Sequence, residues 1–217
     1  FEARLAREAE EGEGEQRFEA VPFQFHNDLH KELSKDPQLA ISKGLSWFDR
    51  DRKLFQFRGG RLLSSVFPGC ASEFAAALAE LVKAGGDTEV DFALTILQNY
   101  RGGTSTHLVL KEIVSRFPDD VSRMRRVQIA IDNTGVVSGE FGFVEAWRAK
   151  KESLTEWLAD ERPAVKAFAE KHIAELDRMI ASEQRRAETE REMRNRSYDE
   201  EDDESGHNDS NGGESAG

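Results

Sequence analysis

A single cysteine, Cys70, stands in 217 residues, which excludes an internal disulfide framework and a cysteine-rich zinc site. No apolar run approaches the roughly 18 residues that a bilayer span requires. No initiator methionine opens the chain, which starts at Phe1 and so reads as the C-terminal piece of a longer one. A net charge of either sign is missing from the middle. The net charge is −12, of which residues 197–217 supply eight acids with no Lys or Arg. Residues 1–20 add seven acids against Arg4, Arg7 and Arg17. Residues 21–196 are left near neutrality, neither a basic nucleic-acid stripe nor an acidic mimic. With one cysteine and no apolar span, a reducing, cytoplasmic setting is the expectation.

What the chain does have is helical periodicity with regular punctuation. Phe74, Leu78, Leu81 and Val82 share one helical face behind a candidate Ser72 cap, and Gly85 and Gly86 stop it. Asp87 is the expected cap of a second helix, with Val90, Ala93, Leu94 and Leu97 as its stripe and Gly102 closing it. Ser105 or Thr106 opens a third, carrying Leu110, Ile113, Val114 and Phe117 to Pro118. Asp119 or Asp120 caps a fourth through Val121, Met124, Val127 and Ile131. After Gly139 a longer helix carries Val144, Trp147, Leu154, Trp157 and Leu158. Asp160 and Pro163 mark one more start, because proline suits a first helical turn. Its stripe runs through Val165, Phe168, Ala169, His172, Ile173, Leu176, Met179 and Ile180, and stops beyond Ala181.

These patterns divide the chain into five stretches. Residues 1–20 are an acidic linker or the end of an upstream helix. Residues 21–71 are an irregular cap or a preceding repeat, with Val21, Phe23 and Phe25 extended, a helix starting at Asp36 and Pro37, and a break at Gly59 and Gly60. Residues 72–181 form the helical-hairpin domain. Residues 182–196 are an exposed charged extension, and residues 197–217 are a disordered acidic tail.

The turn signals carry a resemblance. They read Glu80, Leu81 and Val82 with Asp87 and Val90, then Glu112, Ile113 and Val114 with Asp120 and Val121. The third set is Glu156, Trp157 and Leu158 with Asp160, Pro163, Val165 and Lys166. This layout resembles the HEAT-repeat family, although the valines stand 31 and 44 residues apart against roughly 40–47 per repeat. The resemblance implies an all-α fold of stacked antiparallel helical hairpins, an α-solenoid ending in a long helix. A compact, non-repeating helical domain is the structural alternative.

Candidate chemistry is sparse. His26 and His30 stand at metal-ligand spacing without a third ligand. His172 falls on a buried stripe as a core histidine, while His107 is expected exposed at a helix start. Arg58, Gly59, Gly60 and Arg61, and Arg101, Gly102, Gly103 and Thr104, offer glycine-rich phosphate cradles but miss the phosphate-loop pattern. Ser138 lacks a nucleophile elbow around it. Arg123, Arg125, Arg126, Arg148, Lys150 and Lys151, with Trp147, form the candidate interaction patch, for which the acidic tail is one competitor in cis. Trp157 is a further test position for an anchor, against the simpler reading that both tryptophans lie in the core.

No catalytic triad, acid/base pair or cofactor motif emerges. The expected function is a non-catalytic helical-repeat scaffold or protein-recognition module that uses no cofactor. Its partner is expected to be a protein, with nucleic acid weakly supported and no membrane involved. The alternative is an accessory or targeting region of a larger nucleotide-driven or nucleic-acid-processing enzyme.

Overall fold

The computed structural model of the chain describes residues 30–135, 137–139 and 141–206, with side chains through Met193. Every regular element among these residues is helical. The order is α1 (Pro37–Arg50), α2, α3 (Ser72–Ala84), α4 (Asp87–Leu97), α5 (His107–Arg116), α6 (Val121–Asp132), α7 (Gly142–Thr155) and α8 (Pro163–Gly206). Helix α2 is continuous in three pieces, Arg52–Leu54, a π-helical turn Phe55–Gly59, and Gly60–Val66. Single 3-10 turns precede α5 (Thr104–Thr106) and follow α7 (Glu156–Ala159). No described helix is long and apolar enough to cross a membrane.

Local chemistry accounts for most starts. Asp36 accepts a hydrogen bond from the Leu39 amide at 3.0 Å with Pro37 in the first position, and Asp51 does the same for Leu54 at 2.9 Å. Asp120 caps α6 through the Arg123 amide at 3.0 Å. Two expected caps differ. Ser72 is the first helical residue of α3 rather than its cap, and its hydroxyl donates to Glu73. Helix α4 is capped by Gly86, whose amide donates to Glu89 at 2.7 Å, so Asp87 lies inside the first turn. Gly85 stops α3 in extended rather than left-handed backbone. Its carbonyl is taken instead by the Arg116 guanidinium at 3.1 Å.

The expected break at Gly59 and Gly60 is not there. Both glycines are helical, and a Cβ at Gly60 would stand 2.8 Å from the Asn99 amide nitrogen. That Cβ would also stand 3.4 Å from the Thr95 carbonyl, so glycine at position 60 lets α2 lie close against α4, whereas a Cβ at Gly59 would meet the Phe55 ring of its own helix.

Packing follows an alternating pattern. Helix α1 contacts α3 and α3 contacts α5, while α2 contacts α4 and α4 contacts α6. Within pairs, α3 meets α4, α5 meets α6, and α1 meets the π-turn of α2. Helices α7 and α8 pack on one another, and α8 also packs on α5. One buried apolar cluster runs from Leu33 to Leu176 through all of them. Its aromatic centre is Phe48, Phe55 and Phe92, with ring centroids 5.3–5.8 Å apart. Phe67 stacks on Phe74 at 4.2 Å between α2 and α3. Such pairs contribute about 0.5–1.5 kcal/mol beyond the area they bury.

The starts of α1, α3 and α5 fall at residues 37, 72 and 107, a constant step of 35 residues. Polar ties repeat at nearly that step. Ser105 bonds the Gly69 carbonyl, Asn133 donates to the Gln98 carbonyl at 2.7 Å, and Arg126 pairs with Asp91 at 2.6 Å.

Helix α8 departs from expectation in two ways. The buried stripe continues past Ala181 to Ala187, 4 % exposed. Alanine adds too little hydrophobicity to show in a sequence stripe. Its backbone is helical through Gly206, ten residues beyond the expected fraying point at Arg196. No glycine or proline interrupts the chain between Pro163 and Gly206, so nothing local ends the helix earlier. Residues 207–217 lie outside the described residues, as do residues 1–29, including the expected extended stretch and His26.

Candidate interaction surface

Most of the predicted cationic patch is committed to holding helices together. On α6, Arg123 bonds Asp87 at 2.7 Å and Asp120 at 3.2 Å, with its guanidinium 4.4 Å from the centre of the Phe117 ring. Arg126 reaches Asp91 and Thr95 on α4, at 2.6 and 3.2 Å. On α7, Lys151 pairs with Asp177 at 2.6 Å. Lys150 donates to the carbonyls of Arg101 and Gly102 at 2.6 and 2.9 Å. Trp147 is half-buried beside the Phe143 ring, 5.7 Å away. Only Arg125 and Arg148 of the patch are exposed without an ion-pair partner among the described residues.

Arg125 borders a shallow open cleft of about 470 Å³ whose other lining residues are Gln128, Ile129, Asp132 and Asn133. Positions 125, 128, 129, 132 and 133 follow helical spacing, so this is one face of α6. Ile129 is 49 % exposed on it. The floor is a polar network with α8. Asp132 lies 2.8 Å from His172 Nε2, Gln128 donates to Glu175 at 2.9 Å, and Glu175 stands 3.5 Å from His172 Nδ1. Burial disfavours the charged imidazole of His172, but the hydrogen bonds and negative charges of Asp132 and Glu175 outweigh it and raise its pKa. The protonated ring then donates to both carboxylates and fixes the register of α8 against α6.

The cleft therefore offers one unpaired guanidinium, one apolar side chain, two amides and a carboxylate held by histidine. None of its lining residues is a nucleophile with an adjacent base. Chemically, such a face can pair with a carboxylate and pack against an apolar group.

His107 is buried, not exposed, and its Nδ1 accepts a 3.0 Å hydrogen bond from the Trp157 indole. Burial, then the nearby charges of Lys111 and Lys150, push its pKa down to about 4. The turn at Gly102 presents carbonyls to Lys150, so it holds a cation rather than a phosphate. Arg58 to Arg61 lie within α2 and form no loop. Trp157 is fully buried and is no surface anchor. Val121, assigned to the buried stripe of α6, is 82 % exposed. His172, by contrast, is the hydrogen-bonded core histidine that its position indicated.

The remaining candidates stay apart. His30 Nε2 lies 2.6 Å from the Ser65 carbonyl, and no metal-capable cluster of His, Cys, Asp or Glu occurs among the described residues. Ser138 is exposed without a hydrogen-bond partner among those residues. Burial pushes the Cys70 thiol up to about 12, which keeps it from thiolate chemistry. Gln128, Ile129, Asp132, Asn133 and Glu175 escaped the sequence reading. The one available signal was Ile129, an isoleucine off the apolar stripe of its helix.

Comparison with models of known protein families gives no match, and no curated protein or solved structure matches the chain.

Proposed function

We propose that the chain is a non-catalytic helical-repeat module that recognises a protein partner through the outer face of α6. In this reading α1 with α2, α3 with α4, and α5 with α6 are three successive hairpins of a HEAT-like α-solenoid. The observation that supports it is the 35-residue step shared by helix starts and inter-hairpin ties. A stack of this kind buries each hairpin only against its neighbours and leaves extended faces for binding. The step is shorter than the ~40–47 residues of HEAT repeats, so the hairpins would be compact members of that architecture.

The partner would be an extended segment with a carboxylate for Arg125 and an apolar side chain for Ile129. Selection from a random peptide library on the immobilised chain tests this. Enrichment of acidic-apolar sequences is expected, with at least tenfold weaker binding to R125E. An absence of enrichment, or selection indifferent to R125E and Ile129→Asp, would overturn the reading.

A further inference from the structure

The two later hairpins show which positions a preceding hairpin covers. Counted by the 35-residue step, Phe74 and Val109 match Leu39, and Leu78 and Ile113 match Lys43. On the second helices, Phe92 and Val127 match Phe57, and Ile96 and Ile131 match Arg61. All of these matching residues in the later hairpins are fully buried. Phe92 meets the Phe48 and Phe55 rings of the first hairpin, and Phe74 stacks on Phe67 at the end of α2. Such positions face the hairpin before their own. In the first hairpin all four are exposed, Leu39 by 47 % and Phe57 by 73 %.

The chemistry of this face fits neither solvent nor a permanent neighbour. A terminal hairpin that meets only water carries a polar outer face. A hairpin with a fixed neighbour carries an apolar one, as the second and third do. The first hairpin instead sets two large apolar side chains beside two cations, the mixture of a surface that is covered part of the time. Phe57 also lies in the π-helical turn Phe55–Gly59, a kind of turn frequent at functional sites.

The interior of the stack indicates the charge of the missing neighbour. Lys53, one turn before Phe57, is exposed, and the same step matches it to Thr88 and Arg123. Both of these bond a helix of the preceding hairpin. Arg123 pairs with Asp87 at 2.7 Å, and Thr88 accepts from Arg52 at 3.3 Å. A cation at this register reaches an acid on the covering helix. Neither Lys53 nor Arg61 has an ion-pair partner among the described residues. Their positions on α2 are separated by about 12 Å. Carboxylates seven or eight residues apart on a facing helix span about 10.5–12 Å, so one helix can meet both cations.

We propose that α1 and α2 dock an acidic amphipathic helix of a partner protein. Its apolar stripe packs on Leu39 and Phe57, and its carboxylates pair with Lys53 and Arg61. The register rests on the stacked-hairpin reading above, while the docking face is separate from the α6 cleft.

Selection from a display library of single α-helices, randomised on one face and applied to the immobilised full chain, tests the proposal. Helices with an apolar stripe and two acids seven or eight residues apart should be enriched. Their affinity, measured by titration, should fall at least tenfold for K53E/R61E and stay within twofold for R125E. Exchanging the two acids of a selected helix for lysine should recover binding to K53E/R61E, which also shows that this variant is folded. No enrichment, or enriched helices that K53E/R61E binds equally well, overturns the proposal. So does a loss that the exchange fails to reverse. Loss of binding in R125E would place the helix in the α6 cleft and overturn it. Self-association of the unaltered chain in sedimentation, abolished by K53E/R61E, would assign the face to a second copy and overturn it as well.

Discussion

Trp157 donates its indole N–H to Nδ1 of His107, so the neutral ring carries its own proton on Nε2, which meets no acceptor among the described residues. Protonation would place a second donor where only the acceptor is useful, beside Lys111 and Lys150. His172 is the reverse, an imidazole between two carboxylates. The signs of their contributions to stability therefore differ. His107 has a folded pKa of about 4, below the unfolded 6.5. Its contribution of roughly 3 kcal/mol is complete above pH 6.5 and is lost as the pH falls towards 4. His172 has a raised folded pKa, so its contribution is complete below the unfolded value and is lost as the pH rises through the folded one. Proton NMR titration should resolve one imidazole below and one above the ordinary range. Denaturation of His172→Leu should show its largest loss near pH 5.5 and a shrinking loss towards pH 8.5. A loss that grows with pH would contradict the assignment.

Gly102 is the second residue on which much depends. Its φ is +59°, and a Cβ there would collide with the Ile131 carbonyl oxygen and the Lys150 ammonium. Left-handed backbone alone costs a non-glycine residue roughly 1–2 kcal/mol, and the collision with main-chain atoms adds to it. Gly102→Ala should lose about 3 kcal/mol in urea denaturation. Gly139→Ala, also at positive φ but with open space around it, should lose about 1–2 kcal/mol. Equal losses would mean that the close approach of Ile131 is unimportant.

At the scale of elements, α2, α4 and α6 are joined by a ladder centred on Asp91. Arg126 meets it at 2.6 Å with both groups half-buried, while Arg52 stands 4.0 Å away and is more exposed. Partial burial and the added bonds from Arg126 to the Asp91 carbonyl and Thr95 should make the first pair the stronger. A double-mutant cycle should give about 1 kcal/mol for Arg126 with Asp91 and close to zero for Arg52 with Asp91. Similar coupling in both pairs would show that distance and exposure are not what separates them. A second tie fastens the start of α8 to α5. Asp160 accepts from Arg162 at 2.8 Å and meets Lys111 at 3.3 Å, while Arg162 also reaches Glu112. The Arg162 hydrogen bonds hold the Asp160 carboxyl well below the usual carboxylate range. Together with the His107 and Trp157 pair, they explain why α8 lies on α5 rather than beside α7 alone.

For the whole molecule, the length of α8 decides what the acidic tail can reach. From Glu175, beneath the α6 cleft, to Gly206 is 31 residues of helix, about 46 Å. Glu214, the last acid, lies eight residues beyond Gly206 and extends back by at most about 28 Å. The tail therefore falls short of its own cleft, which removes competition in cis for the α6 face. Deleting residues 207–217 should leave the affinity of cleft-selected peptides unchanged within twofold in dilute solution, measured by titration. Tighter binding after deletion would mean that the tail does fold back.

Apolar residues at helical spacing, interrupted by Asp, Pro and Gly, were enough to define the helical class and most starts, because caps and periodicity are local properties. Asp36 with Pro37, Asp120 and Pro163 each act where their chemistry places them, and His172 lies on the stripe that its spacing marks. The sequence alone could not separate the cations that bind helices from those that face solvent. Arg123, Arg125 and Arg126 differ only by their angle around α6, and the partners of Arg123 and Arg126 lie about 35 residues away. Tertiary structure also turned Gly60 from part of a break into a close contact and buried His107 against a tryptophan 50 residues later. It made Ile129 part of a surface. Those outcomes depend on which helix faces meet, and a one-dimensional pattern records an apolar face without naming its partner.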